Sequence, residues 1–136
     1  MISVKSNTDL EKLRAAGRIA GRALKLAGES VRAGMTTKEL DKIVHDYIVS
    51  CGATPSFLGY GGFKGSACIS INNEVIHGIP SSKRKIADGD IVSVDVGAYY
   101  NGFHGDTCAT FAVGHISDEA KKLLEVTEAS LYAGIP

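Results

Sequence analysis

Residues 91–111 constrain this chain more than any other stretch, because they read as one β-hairpin with an acid on each arm. Ile91-Val92-Ser93-Val94-Asp95-Val96-Gly97-Ala98-Tyr99-Tyr100 runs into Asn101-Gly102 and returns as Phe103-His104-Gly105-Asp106-Thr107-Cys108-Ala109-Thr110-Phe111. Asn-Gly between β-rich runs favours a two-residue type I′ turn, which needs positive φ at both central positions. Such a turn predicts Tyr100 opposite Phe103 and Asp106 opposite Gly97. Alternation then puts Asp95, Gly97 and Asp106 on one face, and Val92, Val94 and Val96 on the other, in a core. The two acids become diagonal neighbours about 7–8 Å apart at the backbone, within joint reach of a metal or a metal pair. Neither arm contains Lys or Arg. The hairpin alone leaves two readings open: a site for a divalent ion with oxygen ligands, or two acids solvated on an open sheet face. Asp is depleted in strands, so a pair on one face needs a reason.

Upstream, Thr8-Asp9-Leu10-Glu11 has the form of a capping box and predicts a helix start. Leu10, Leu13, Gly17, Ala20, Leu24, Ala27 and Val31 follow a helical period, and Gly34 is the expected stop. Thr36-Thr37-Lys38-Glu39 is a second capping box, opening a helix with Leu40, Ile43, Val44, Tyr47 and Ile48 on one face. Residues 53–66 are rich in glycine and aromatics, which suits either an ordered loop at a ligand or a flexible connector. Short strands are expected at Ala67–Ile71 and Glu74–His77 around Asn72-Asn73. Ser117 or Asp118 can cap a last amphipathic helix carrying Leu123, Leu124, Val126, Leu131 and Ile135. Helices, strands and a further helix make the class α+β. The chain closes on Gly134-Ile135-Pro136 straight after that helix, so a truncation in mid-architecture is expected.

At 136 residues the length fits one domain with its own core. Fifteen basic and fifteen acidic side chains cancel, and no basic stripe points to nucleic acid. Cys51, Cys68 and Cys108 are odd in number and lack C-x-x-C spacing, which disfavours a disulfide framework or a zinc knuckle. No signal peptide or membrane-spanning run is evident. A soluble cytoplasmic protein is expected.

Several motifs together resemble the type I methionine aminopeptidases, metal-dependent hydrolases of the pita-bread (creatinase/aminopeptidase-like) fold. They are Gly34-Met35-Thr36-Thr37-Lys38-Glu39-Leu40-Asp41, then Pro55-Ser56-Phe57-x-Gly59-Tyr60, then Cys68-Ile69-Ser70-Ile71-Asn72 with Glu74-Val75-Ile76-His77-Gly78-Ile79-Pro80. Gly89–Gly97 and Gly102-Phe103-His104-Gly105-Asp106-Thr107 complete the set. The resemblance implies an antiparallel sheet with helices packed on one face, and makes residues 1–136 the N-terminal half of a catalytic domain. It implies Asp95 and Asp106 as ligands of a pair of divalent ions (Co, Mn, Fe or Zn), with Asp106 in the bridging position. Those ions supply Lewis acidity and water activation in a two-metal hydrolase. His77 would be a catalytic residue beside the substrate. Phe57, Tyr60, Phe63 and Cys68 would line a methionine pocket, and a thioether suits aromatic rings and a thiol.

The implied reaction removes methionine from the N-termini of nascent polypeptides, with neither nucleic acid nor membrane as partner. Lys64 departs from the family pattern, which commonly has proline there. The family's second half, with one further histidine and two glutamates for the metals, has no counterpart in 136 residues, so little activity is expected from this chain. Two alternatives stand beside this one. The first is an X-prolyl aminopeptidase or prolidase of the same fold. The second is a non-catalytic half-fold that binds a partner or forms a homodimer through the face left by the missing half. His45, on a helix surface, His104, beside the turn, and His115, after a strand, receive no role.

Overall fold

The computed structural model describes residues 3–135; Met1, Ile2 and Pro136 lie outside that range, so the last residue of the expected truncation point is not covered. Helix α1 (Asn7–Ser30) starts earlier than the sequence suggested. Ser6 is its cap: the Ser6 side chain accepts from Asp9 N, and Asp9 Oδ2 accepts from Ser6 N at 3.1 Å. Ser6-Asn7-Thr8-Asp9 offers the same reciprocal pattern two residues before Thr8, and using it lengthens the helix. Glu11, freed from capping, pairs with Arg14 at 2.6 Å. The helix also ends before Gly34, at Val31, whose N–H donates to Ala27 O. Its buried stripe is Ala16, Ala20, Ala23, Leu24 and Ala27, mostly small side chains that let the helix lie close to what it covers.

Helix α2 (Thr37–Ser50) begins as expected, with Thr36 and Glu39 capping each other. Leu40, Val44 and Ile48 are buried, and Ile43 and Tyr47 pack against the same core.

The sheet has four antiparallel strands: β1 (Thr54–Pro55), β2 (Ala67–Ile71), β3 (Ile91–Tyr100) and β4 (Phe103–Ala112). Strand β3 is central. Along one edge it pairs with β4, and along the other with β2 at residues 92–96 and with β1 at 98–99. Asn101 and Gly102 both have positive φ, 50° and 86°, as the two-residue turn demands. Tyr100 is opposite Phe103 and Gly97 opposite Asp106, the expected register. Val92, Val94, Val96 and Ala98 are fully buried under the two helices, each valine contributing about 1.5–3 kcal/mol by leaving water. The long helices thus cover one face of the sheet, and the class is α+β as expected. Gly105 shows how close α1 comes: a β-carbon there would lie 2.4 Å from the carbonyl of Ala16.

The expected strand Glu74–His77 does not form. Strand β2 pairs with β3 along one edge only, and Asn72 is drawn toward β3, so the strand's other edge meets residue 78 and not 74–77. Asn72 Oδ1 accepts from Ile91 N at 3.0 Å, while its Nδ2 donates to Asp90 at 2.8 Å. Residues 74–80 then pass as a loop, touching β2 where Ile69 N donates to Gly78 O at 2.9 Å. Helix α3 (Asp118–Ala133) is capped by Ser117 and buries none of its residues, leaving Leu123, Val126, Leu131 and Tyr132 exposed.

Candidate metal centre and side-chain pocket

The uncovered face of the sheet carries the chemistry. Pairing aligns Cys68, Asp95 and Cys108 in one row across β2, β3 and β4, with Gly97 and Asp106 in the next. Both carboxylates belong to this face, so the hairpin brings together the two acids that the sequence singled out. Burial, and then the charge of Asp106, push the Asp95 carboxyl above its usual range. Asp95 Oδ1 is buried with no hydrogen-bond partner. A buried oxygen without a donor, next to a second carboxylate and with no Lys or Arg on either strand, has the chemistry of an incomplete cation site. Among the described residues, no group of three or more His, Cys, Asp or Glu side chains converges on one point, so the two acids are a partial ligand set.

The two thiols flanking Asp95 respond to the same field. Cys68, 6 % exposed, is pushed up to about 11 by burial and then by Asp95 and Asp106. Cys108 is raised for the same reasons, though it lies on the exposed strand. Both are neutral thiols at pH 7.

A cavity of about 560 Å³ opens beside the acids. Phe57, Tyr60, Phe63, Cys68, His77, Asp95 and Asp106 all line it, so every residue marked in the sequence as a site candidate meets in one place. The aromatic segment 56–63 can lie there because of Gly97: a β-carbon at that position would stand 2.8 Å from Ser56 Cβ and 2.7 Å from the Phe57 ring. Residues 60–62 form a single 3-10 turn. Tyr60 remains 82 % exposed, at the mouth rather than the floor.

His77 adopts φ 61°, uncommon for a residue with a side chain. The next residue explains how the backbone is held there. Gly78 N donates to Ser70 Oγ at 3.0 Å and Gly78 O accepts from Ile69, while a β-carbon on Gly78 would sit 2.1 Å from Ile69 O. Gly78 is pressed onto β2, and His77 projects from that anchor to the cavity edge.

Asp41 was noticed only as part of a motif, yet it is buried and fixes the pocket's floor. Its Oδ1 accepts from Ser66 N at 2.6 Å and Ala67 N at 3.0 Å, and its Oδ2 from Lys38 Nζ at 2.7 Å. His45 is likewise not a surface residue: half-buried, its Nδ1 lies 2.8 Å from Ser66 Oγ.

Comparison with known proteins gives this geometry a lineage. The model of metallopeptidase family M24 matches residues 11–136. The chain belongs to that family. It is 50 % identical over 135 residues to a methionine aminopeptidase of Clostridium acetobutylicum, an alignment covering 99 % of this chain and 54 % of that protein. The crystal structure of methionine aminopeptidase from Rickettsia prowazekii superposes with a TM-score of 0.96 at 38 % identity, over 99 % of this chain and 54 % of that one. The X-Pro aminopeptidase from Thermotoga maritima shares the fold less closely, with a TM-score of 0.72 at 26 % identity over 88 % of this chain and 32 % of its own. The chain therefore shares its fold with both solved structures and spans about half the length of the methionine aminopeptidases compared above.

Proposed function

We propose that this chain carries the first half of the catalytic domain of a methionine aminopeptidase, and that the parent reaction hydrolyses the bond after an N-terminal methionine of nascent polypeptides. The observation carrying this reading is the cavity in which aromatic rings and a neutral thiol adjoin two carboxylates, one with a buried oxygen lacking any partner. Asp95 and Asp106 would hold the divalent ions; Mn, Co, Fe and Zn all accept oxygen ligands of this kind. Such ions, when bound, supply Lewis acidity and an activated water. The chain's own residues do the rest. Phe57, Phe63 and Cys68 receive an unbranched thioether side chain, Tyr60 closes the mouth over it, and His77 holds the peptide group by a hydrogen bond. Free cysteines and the supply of nascent chains agree with a cytoplasmic setting.

Two acids are fewer donors than a divalent ion takes, so the chain by itself should bind Mn²⁺ or Co²⁺ weakly and release methionine from Met-Ala-Ser at close to the uncatalysed rate. Isothermal titration of the wild type against Asp106→Ala tests the ligand assignment. Loss of the weak binding in the variant supports it, and undiminished binding overturns it.

The X-prolyl alternative is disfavoured by the lower similarity to that group. Association with a second copy is a further reading, favoured by the exposed apolar side chains of α3. It would set two Asp95–Asp106 pairs face to face. Sedimentation across a dilution series decides it, and a monomer at tens of micromolar, within the range where weak dimers form, rules it out.

A further inference from the structure

The loop that carries the pocket's aromatic rings makes its internal bonds with itself. Gly59 N donates to Phe63 O, Tyr60 N to Phe57 O and Phe63 N to Tyr60 O, at 2.9, 3.0 and 2.9 Å. Its fixed points are its two ends, and each end is a serine held by a histidine from a different element. Ser56 Oγ lies 2.8 Å from His104 Nδ1 on β4, and Ser66 Oγ lies 2.8 Å from His45 Nδ1 on α2. Each serine is held again by its backbone: Ser56 N donates to Gly97 O at 2.9 Å, Ser66 N to Asp41 Oδ1 at 2.6 Å. The His104 ring itself packs against Tyr99 at a tilt of 42°, with centroids 4.7 Å apart. The paired residues are 48 and 21 positions apart in the chain, so neither pair is a by-product of local turn chemistry.

We propose that His45 and His104 are positioning residues that clamp the two ends of the aromatic loop and so set the width of the side-chain pocket. Phe57, Tyr60 and Phe63 ride on the segment between the clamps, whereas Cys68 and the carboxylates stand on the sheet. The spacing between these two walls depends on where the loop's ends are pinned. A narrow, fixed spacing admits an unbranched apolar side chain and turns away a β-branched one. The clamps are unequal. Ser66 is buried, with 2 % exposure, while the Ser56–His104 pair is open to water. The His45 end is therefore the fixed one, and the His104 end is where the wall yields first. This inference rests on the pocket assignment above for its purpose, but not for its test.

The test is amide hydrogen exchange on the whole chain without metal or ligand, comparing wild type with His45→Ala, His104→Ala and the double variant. The amides of Gly59 and Phe63 should exchange about three- to tenfold faster in each single variant, the range expected for one lost hydrogen bond, and faster again in the double. The amides of Val94 and Val96 in β3 should be unchanged. His45→Asn and His104→Asn, whose carboxamides reach the place of Nδ1, should restore the wild-type rates. Unaltered loop exchange in the double variant overturns the proposal. So does equal acceleration in β3, which would make the histidines general stabilisers, and so does asparagine behaving like alanine. A pocket that takes no methionine leaves these rates as they are, so the two readings fail separately.

Discussion

A β-carbon added to Gly97 would stand 2.7 Å from the ring of Phe57, so one wall of the pocket rests directly on the backbone of the β3–β4 hairpin. Gly97→Ala must push Phe57 and Ser56 away or bend β3. Overpacking of this kind costs about 1–3 kcal/mol. The variant should lose that much stability in urea titration, and amides of residues 57–63 should exchange faster than those of α2.

Asp41→Ala removes the acceptor of two buried backbone N–H groups, those of Ser66 and Ala67. Leaving buried donors unpaired costs about 1–3 kcal/mol each, and the expected loss is about 2–4 kcal/mol. Asp41→Asn keeps one acceptor oxygen and should recover part of it. Chemical denaturation at pH 7 measures both; an alanine variant as stable as the wild type contradicts the assignment.

Asp95→Asn should raise the melting temperature of the metal-free chain. Ionised Asp95 is disfavoured by burial and by Asp106, and the amide removes that charge while keeping the shape. The same change should abolish any rise in melting temperature on adding millimolar Mn²⁺, a stability gain made at the expense of function. Scanning calorimetry with and without metal tests both halves.

The Glu74 carboxyl is raised by burial but pulled below its ordinary range on balance by the Ile71 N–H and the Arg84 guanidinium. A depressed folded value means that its contribution is present at neutral pH and disappears as pH falls through that value. Glu74→Gln should therefore be less stable than wild type at pH 7, and the difference should shrink at a lower pH that protonates the carboxyl. Urea midpoints at the two pH values check the sign.

Cys68 should resist alkylation. It is nearly buried and its thiol is pushed up to about 11, whereas Cys108 is exposed. Iodoacetamide at pH 7.5, followed by mass spectrometry, should label Cys108 well before Cys68, and denaturant should erase the difference.

The hairpin was fully legible in the sequence, register included, because Asn101-Gly102 specifies its turn locally and the three valines specify its buried face. The meeting of Phe57, Tyr60, Phe63, Cys68 and His77 was expected only through family resemblance, since no local rule folds residues 56–63 back over β3. Asp41, His45 and Ser66 escaped because their bonds join positions 21 to 26 residues apart. The apparent strand at 74–77 misled because β propensity says nothing about whether an edge is free. At the N-terminus Thr8-Asp9-Leu10-Glu11 was read as the cap, whereas the overlapping Ser6-Asn7-Thr8-Asp9 is the one used.

The two sides of the β3–β4 hairpin differ completely, one roofed by α1 and the other bearing the acids, yet only the parity of the residue count around Asn101-Gly102 keeps them apart. One residue inserted there would slide β4 by a single step against β3. His104 would then fall beneath α1, where Gly105 now leaves no room even for a methyl group, Asp106 would turn to that same side opposite Val96, and Gly105 would replace it on the open side. The chain could keep its core or its acid pair, but not both.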